Sequence, residues 1–316
     1  MSAEGGTKAV VAALVANCFI AVTKFAAFAL TGASSMLAEA IHSVADSGNQ
    51  GLLHLGGKKS KKVATEEHPF GYGRERYIYA FIVSIVLFSV GGLFALYEAW
   101  DKFQHPHAIE GDFWWVPLAV LIGAIIAESF SFRTAIIESN HVRGKQSWVN
   151  FVRNAKQPEL PVILLEDLGA LVGLVFALFG VSLTLLTHNG VWDALGTAMI
   201  GLLLVAIAVV LALETKSLLL GESATRDDVA RIRGAIESDG TGIIHLKTLH
   251  LGPEELLVAA KITVGAAVSG LEIARLIDAA EDRIRTAVPM ARVIYLEPDV
   301  HRSDLPSQAV VGGTGS

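Results

Sequence analysis

Six stretches of this sequence are long and apolar enough to cross a membrane, and they leave little room for another fold. A transmembrane helix needs about 20 apolar residues to cross a hydrocarbon core about 30 Å thick. The chain has 316 residues, 52% hydrophobic and 18% charged, whereas soluble domains have about 25% charged residues. The stretches are approximately residues 8–30, 34–55, 77–100, 113–137, 161–186 and 191–213. The sequence therefore predicts an α-helical membrane protein with six transmembrane helices.

Basic residues are concentrated in alternate links between these stretches. The link after the second stretch carries Lys-Lys-Ser-Lys-Lys at 58–62, and the link after the fourth carries Arg143, Lys145, Arg153 and Lys156. The other links are short or nearly free of Lys and Arg. Short loops rich in Lys and Arg lie on the cytoplasmic side of membrane proteins. We therefore expect a multi-pass protein of the cell membrane with both termini in the cytoplasm.

Two other segments bear on how the chain meets membrane lipid. Residues 140–157 are amphipathic and include Trp148 and Phe151, so we expect them to lie along the membrane surface. The first residues lack the apolar region and cleavage site of a signal peptide. We therefore expect the first stretch to remain as a membrane anchor.

After residue 218 the pattern becomes that of a small α+β domain. Residues 224–237 and 271–288 have amphipathic helical spacing, and Ser269 is a candidate N-cap of the second helix. Strands are predicted at 243–251, 256–264 and 293–297. The order helix, strand, strand, helix, strand favours helices on one face of a sheet. We expect a tail at 1–7, a six-helix domain at 8–218, a cytoplasmic α+β domain at 219–300 and a disordered Gly/Ser-rich tail at 301–316.

A polar stripe interrupts the second stretch. Its members are spaced by three and four residues, which places them on one face of a helix: Glu39, His42, Asp46 and Asn49. An acidic side chain at mid-membrane costs about 2.5–3.5 kcal/mol on insertion scales, so the stripe needs a polar partner. One imidazole nitrogen with carboxylate oxygens suits Zn²⁺ and its first-row neighbours. Pairing of His42 with Asp46 or with a neighbouring span is the alternative, but it leaves the other polar residues unexplained.

A second pair of acids, Glu166 and Asp167, lies in the fifth stretch. Adjacent residues on a helix point about 100° apart, so we expect one of the two to face His42. The helix dipole could instead stabilise Glu166 near the start of its helix. Gly169 and Gly173 follow at a spacing that lets another helix approach closely.

Several functional classes find little support in the sequence. Cys18 is the only cysteine, so a thiolate metal cluster and an intrachain disulfide are excluded. No glycine-rich phosphate loop predicts nucleotide use, and nothing predicts nucleic-acid binding. An intramembrane metallohydrolase would need HExxH or a similar motif, which is absent. An uncoupled cation channel remains open as an alternative.

The segment SSMLAEAIHSVADSGNQ at 34–50, the loop HPFGYGRERY at 68–77, the six spans and the carboxy-terminal domain resemble the cation diffusion facilitator family. The similarity runs from about residue 8 to residue 299. It implies a homodimeric exporter of a divalent cation that moves metal from the cytoplasm in exchange for protons. The small domain would then serve dimerisation, and no cofactor is expected apart from the transported ion.

The resemblance also assigns transport ligands. The family's pair on the second span matches His42 and Asp46. On the fifth span Asp167 matches the acid, but Ile163 stands at the histidine position. The candidates that would complete the ligand shell are Glu166, water and Glu39. Zn²⁺ is the expected ion, while the departure leaves Fe²⁺, Co²⁺ and Mn²⁺ open.

Accessory metal sites of the family are only partly kept. In the loop after the second span His68 matches a ligand, but Tyr72 stands at a second histidine position. In the carboxy-terminal domain His245 and Glu297 match ligands, whereas other ligand positions hold Lys261 and Tyr295. We expect this domain to dimerise largely by packing and not through bridging metals.

Three further residues are expected to relay protons or to gate transport. Glu128 lies deep in the fourth stretch, where it would either relay protons or pair with Lys24. By the family resemblance, Arg74 would form an ion pair between the two domains, with Glu222 as the candidate partner.

Overall fold

The computed structural model describes residues 18–106, 109, 112–265 and 267–300. The chain forms two compact units, which divide between Leu220 and Gly221. The predicted tails, 1–7 and 301–316, lie outside the described residues.

The first unit is helical. Its helices are α1 Cys18–Thr31, α2 Ser34–Lys59, α3 Glu75–Gln104, α4 Val116–Arg143, α5 Trp148–Asn154, α6 Glu159–Thr187 and α7 Val191–Leu220. Within the described residues, α3, α4, α6 and α7 are long and apolar enough to cross a membrane. Helix α2 has 26 residues but carries the polar stripe, and α1 is described only from Cys18. The predicted helical membrane fold, followed by a small α+β domain, is confirmed.

Two local features differ from a set of uniform α-helices. Helix α3 contains a π-helical turn at Leu87–Leu93, and π-turns are common at functional sites. The amphipathic stretch 140–157 is not one element, because α4 continues to Arg143 and α5 covers Trp148–Asn154; its position along the membrane surface stays a prediction.

Glycines let α6 and α7 approach each other closely. A Cβ atom added to Gly180 would lie 2.8 Å from the Trp192 carbonyl oxygen, and one added to Gly196 would lie 2.9 Å from the Phe176 carbonyl oxygen. Both positions face backbone, which cannot move aside as a flexible side chain can. The close contact between α6 and α7 therefore requires glycine at both positions.

We predict that Gly180→Ala lowers the free energy of unfolding by about 1–3 kcal/mol, because the methyl group overpacks this contact. Gly123→Ala in α4 is the matched control, since a Cβ there meets nothing within 4 Å and alanine favours helix. Thermal unfolding of both purified variants in detergent measures the difference. Equal melting temperatures for the two variants would contradict the close contact.

The second unit is a three-stranded sheet with two helices. Its elements are α8 Arg226–Glu237, β1 Ile243–Gly252, β2 Glu255–Thr263, α9 Gly270–Ala287 and β3 Ala291–Asp299. The central strand β2 pairs antiparallel with β1 and parallel with β3. Every second residue of β2 is buried and belongs to a core that includes Ile232 of α8 and Ile284 of α9. The element order is the one predicted.

The start of α9 is capped as the sequence predicts. The Ser269 hydroxyl accepts a hydrogen bond from the Glu272 backbone, and Glu272 accepts one from the Ser269 N–H at 2.9 Å. This capping box satisfies backbone donors that the helix itself cannot. The hydrogen bonds from Ser269 lower the pKa of Glu272.

Candidate metal site

A carboxylate from another helix fixes the amino-terminal end of α2. Asp193, in the first turn of α7, is fully buried. It accepts hydrogen bonds from the Ser34 backbone N–H at 2.7 Å and from the Ser34 and Ser35 hydroxyls. The N-cap residue Ala33 gives α2 no side-chain cap, so Asp193 satisfies amide groups that the helix start would leave unpaired. Sequence reasoning missed this residue, although an acid near the start of an apolar stretch was a usable signal.

Gly32, one of the two residues between α1 and α2, is held by a cation. Lys102 of α3 donates a hydrogen bond to the Gly32 carbonyl oxygen at 2.8 Å. The helix dipole makes a cation favourable at the carboxyl end of α1 and an anion favourable at the amino end of α2. Lys102 and Asp193 therefore set where α2, with its polar stripe, begins.

We predict that Asp193→Ala lowers the free energy of unfolding by at least about 1.5–3 kcal/mol, the range for one hydrogen bond to a charged group. Asp101→Ala on α3 is the control, because that side chain is 60% exposed and such surface changes stay within about 0.5 kcal/mol. Thermal unfolding in detergent compares the two. An Asp193→Ala protein as stable as the control would show that the cap contributes nothing.

His42 and Asp46 meet on one face of α2. The Nε2 atom of His42 lies 3.4 Å from Oδ2 of Asp46, and His42 is 1% exposed. Among the described residues, neither ring nitrogen of His42 nor Oδ1 of Asp46 has a hydrogen-bond partner. Each buried polar atom left unsatisfied costs about 1–3 kcal/mol. These lone pairs are the donor set that a divalent transition metal binds.

A small polar cavity of about 30 Å³ is lined by Asp46 of this pair. Carboxylates from α2, α4 and α6 line it: Asp46, Glu128 and Asp167. Ser131, another lining residue, donates a hydrogen bond to Asp167 Oδ2 at 2.9 Å. A cavity needs at least about 10–15 Å³ of such volume to hold a water molecule, so this one has room for water or a small ion. Sequence reasoning missed Ser131, although it follows Glu128 by three residues on the same helix face.

The two adjacent acids of α6 point to different partners. Asp167 reaches the cavity, whereas Glu166 Oε1 accepts a hydrogen bond from Asn49 Nδ2 at 2.6 Å. Glu166 lies beyond the first turn of α6, which begins at Glu159, so the helix dipole is not its main partner. The structure thus places Asp167 beside Asp46 and places Glu166 against the end of the polar stripe.

Glu39, the first member of the stripe, forms a buried ion pair. Lys24 Nζ lies 2.8 Å from Glu39 Oε2 and donates to the Ser43 hydroxyl at 2.9 Å. The ion pair of Lys24 is therefore with Glu39 and not with Glu128. A Cβ atom on Gly173 would lie 2.9 Å from Glu39 Oε1, so this glycine lets α6 pack against the acid.

The expected ligands lie in one region of the helical unit, but their side chains are not arranged around a common metal position. Among the residues that the structure describes, no three His, Cys, Asp or Glu side chains are close enough together to hold a metal ion as placed. Binding by His42, Asp46 and Asp167 therefore requires their side chains to converge. The π-helical turn of α3 borders this region, since a Cβ on Gly91 would lie 3.8 Å from His42 Nδ1.

The expected accessory residues lie outside this region. His68 is exposed in a loop, with its ring 4.7 Å from that of Tyr72. In the second unit Lys261 Nζ lies 3.0 Å from Glu297 and 3.1 Å from Asp299, and hydrogen bonds to these two carboxylates raise the pKa of Lys261. His245 pairs with Lys261 across β1 and β2. Arg74 precedes α3, and its proposed ion pair with Glu222 would join the two units, so it stays a prediction.

Apolar spans that surround a buried histidine and several acids define a multi-pass membrane protein with a polar transport region. Residues 10–220 match the family model described as the cation efflux transmembrane domain. The chain therefore belongs to the cation diffusion facilitator family, whose members are transporters and not enzymes. The family resemblance is confirmed, and the metallohydrolase alternative is excluded.

Three relatives illustrate the similarity. The chain is 34% identical over 238 residues to the proton-coupled zinc antiporter SLC30A9, mitochondrial, of Homo sapiens, covering 75% of this chain and 42% of the relative. It is 24% identical over 265 residues to metal tolerance protein C4 of Arabidopsis thaliana, covering 81% and 56%. It is 24% identical over 275 residues to magnetosome protein MamB of Magnetospira sp., covering 84% and 86%. The chain thus spans about half the length of the first two relatives.

Proposed function

We propose that this protein exports a divalent transition-metal ion, Zn²⁺ before Fe²⁺, Co²⁺ or Mn²⁺, from the cytoplasm in exchange for protons. The observation that carries the proposal is the buried pair of His42 and Asp46, which have unsatisfied polar atoms. Asp46 also lines a cavity that Asp167 reaches. The human relative named a proton-coupled zinc antiporter supports the choice of ion and of counter-ion.

In this proposal His42, Asp46 and Asp167 bind the transported ion. One nitrogen and several carboxylate oxygens suit Zn²⁺, whereas an oxygen-rich shell also accepts Mn²⁺. Glu166 and Glu39 are held by Asn49 and Lys24, so they orient α2 and α6 around the ion and are second choices as ligands.

Protons and metal compete for the same groups in this mechanism. Metal ligands must be deprotonated, so binding of the ion releases protons. When the helices rearrange to open the opposite side, protonation of the same ligands releases the metal. Glu128 shares the cavity with Asp167, which suits it to pass protons between the ligands and water.

We further propose a homodimer in the cell membrane with both termini in the cytoplasm. The basic links at 58–62 and 143–156 support this orientation. The human relative is named as mitochondrial, so fractionation of cells that express the protein decides between the two membranes. Cross-linking in intact membranes tests the dimer.

We predict that Asp46→Asn and Asp167→Asn each reduce pH-gradient-driven Zn²⁺ uptake into proteoliposomes by at least about ten-fold, because each removes a ligand charge. The control is Asp101→Asn, since Asp101 and His105 form an exposed Asp–His pair with the same four-residue spacing. This variant should transport like the unchanged protein. Uptake of Zn²⁺ with a fluorescent indicator inside the vesicles measures the rates.

Two results would overturn the proposal in different ways. Uptake that ignores the pH gradient would indicate a channel and leave the ligands in place. Full activity of Asp46→Asn or Asp167→Asn would show that the transport site lies elsewhere.

We predict that His42→Asp shifts the preference from Zn²⁺ toward Mn²⁺, because it replaces the nitrogen of the proposed site with oxygen. Competition of each metal against labelled Zn²⁺ in the same vesicles gives the ratio of affinities. His105→Asp is the matched control, since His105 is 70% exposed. An unchanged ratio would remove His42 from the ligand set.

A further inference from the structure

A second cavity, wholly different in character, opens at the other side of α6. Its volume is about 530 Å³, within the range of about 300–1,000 Å³ typical of ligand sites. Its walls are hydrocarbon side chains from four helices, among them Ile136 of α4, Val152 of α5, Leu164 and Leu168 of α6, and Val210 of α7. Among the described residues that line this groove, Arg153 is the one that carries a charge.

The short helix α5 gives the groove a fixed rim. Its first turn is capped by Ser147, which accepts a hydrogen bond from the Asn150 N–H at 3.2 Å. Phe151 is 3% exposed and packs with Ala135 of α4 and Leu164 of α6. Phe151 anchors α5 to α4 and α6, and other side chains of α5 line the groove. The groove is therefore preformed.

The chain segment that includes α5 is basic, and Arg153 in it lines the groove. Between residues 143 and 158 the sequence has four basic residues and no acidic one: Arg143, Lys145, Arg153 and Lys156. Arg143 lies over the ring of Trp148, 4.2 Å from its centroid, and tryptophan favours the membrane–water interface. Arg153 is 70% exposed and forms a long ion pair with Glu214, whose Oε1 lies 3.9 Å from the Arg153 Nε, beyond hydrogen-bond distance.

We propose that this groove binds one anionic phospholipid, with an acyl chain along the apolar walls and the headgroup phosphate against Arg153. An apolar groove in a membrane suits an acyl chain, and the basic side chain of Arg153 at the groove, in a segment with four basic residues, suits an anionic headgroup. The planar guanidinium group of arginine can donate two parallel hydrogen bonds to a phosphate, whereas lysine acts as a point charge. Trp148 and Arg153 both line the groove from α5, so the headgroup would lie against this helix.

A lipid in this position contacts the helix that carries the transport acid. Leu164, Leu165 and Leu168 line the groove and flank Glu166 and Asp167 in the sequence. The lipid and the polar cavity thus lie on different faces of the same turns of α6. The proposal is independent of which ion is transported.

Trp148 lines the groove and reports its occupant through fluorescence. We would reconstitute the full chain into vesicles that contain either brominated phosphatidylglycerol or brominated phosphatidylcholine with the same acyl chains, because bromine quenches tryptophan on contact. The signal of Trp148 is the difference between the protein and its Trp148→Phe variant. We expect half-maximal quenching at about a five-fold lower mole fraction of the anionic lipid, the effect of about one basic contact.

Two variants separate the headgroup from the chain. Arg153→Gln should abolish the preference for the anionic lipid, and Val152→Phe should fill the groove and reduce quenching by both lipids. Arg233→Gln is the control, because Arg233 also pairs with a nearby acid, Glu237 at 3.3 Å, but lies outside the membrane unit. Metal uptake by the same vesicles verifies that each variant is folded.

Equal quenching by both lipids, unchanged in Arg153→Gln, would overturn the proposal and indicate ordinary contact with bulk lipid. If neither brominated lipid quenched Trp148 in the unchanged protein, the proposal would also be overturned, since the groove would then be closed to acyl chains.

Discussion

The burial of a charged stripe inside a hydrophobic helix is the constraint on which the rest of the helical unit depends. Helix α2 carries Glu39, His42, Asp46 and Asn49 on one face, and each acid at mid-membrane depth is costly unless something polar meets it. Individual members of the stripe have separate polar partners in the structure. Lys24 pairs with Glu39 and Asn49 pairs with Glu166, so each end of the stripe has a polar partner, although Glu39 Oε1 and Asn49 Oδ1 remain without a hydrogen bond among the described residues. In the middle of the stripe both ring nitrogens of His42 and Oδ1 of Asp46 also lack one, and we propose that the transported ion binds there.

Helix α2 is positioned by groups that take no part in binding metal. Asp193 and Lys102 hold its start, and Gly173 lets α6 approach Glu39. Each contact comes from a different helix, so the register of α2 depends on the packing of the whole bundle. Helix α2 and its polar stripe can therefore shift only when these neighbouring helices shift with them.

Local patterns in the sequence were enough to predict the element order, the Ser269 cap and the meeting of His42 with Asp46, because these depend on spacings of three or four residues. The pairings that escaped prediction join residues far apart in the chain. Asp193 caps a serine 159 positions away, and no local pattern links them. Lys24 was expected to pair with Glu128 if it paired at all, and only the packing of α1 against α2 shows that its partner is Glu39. The sequence also did not show that α4 extends to Arg143, because an amphipathic pattern does not mark where one helix ends.

Lys261 in the second unit has a consequence for how the protein responds to its surroundings. Its ammonium group lies between Glu297 and Asp299 and so joins β2 to β3. A divalent cation that approached Glu297 would meet a like charge that is always present near neutral pH. A metal ion at Glu297 would therefore have to compete with the Lys261 ammonium group that links these two strands.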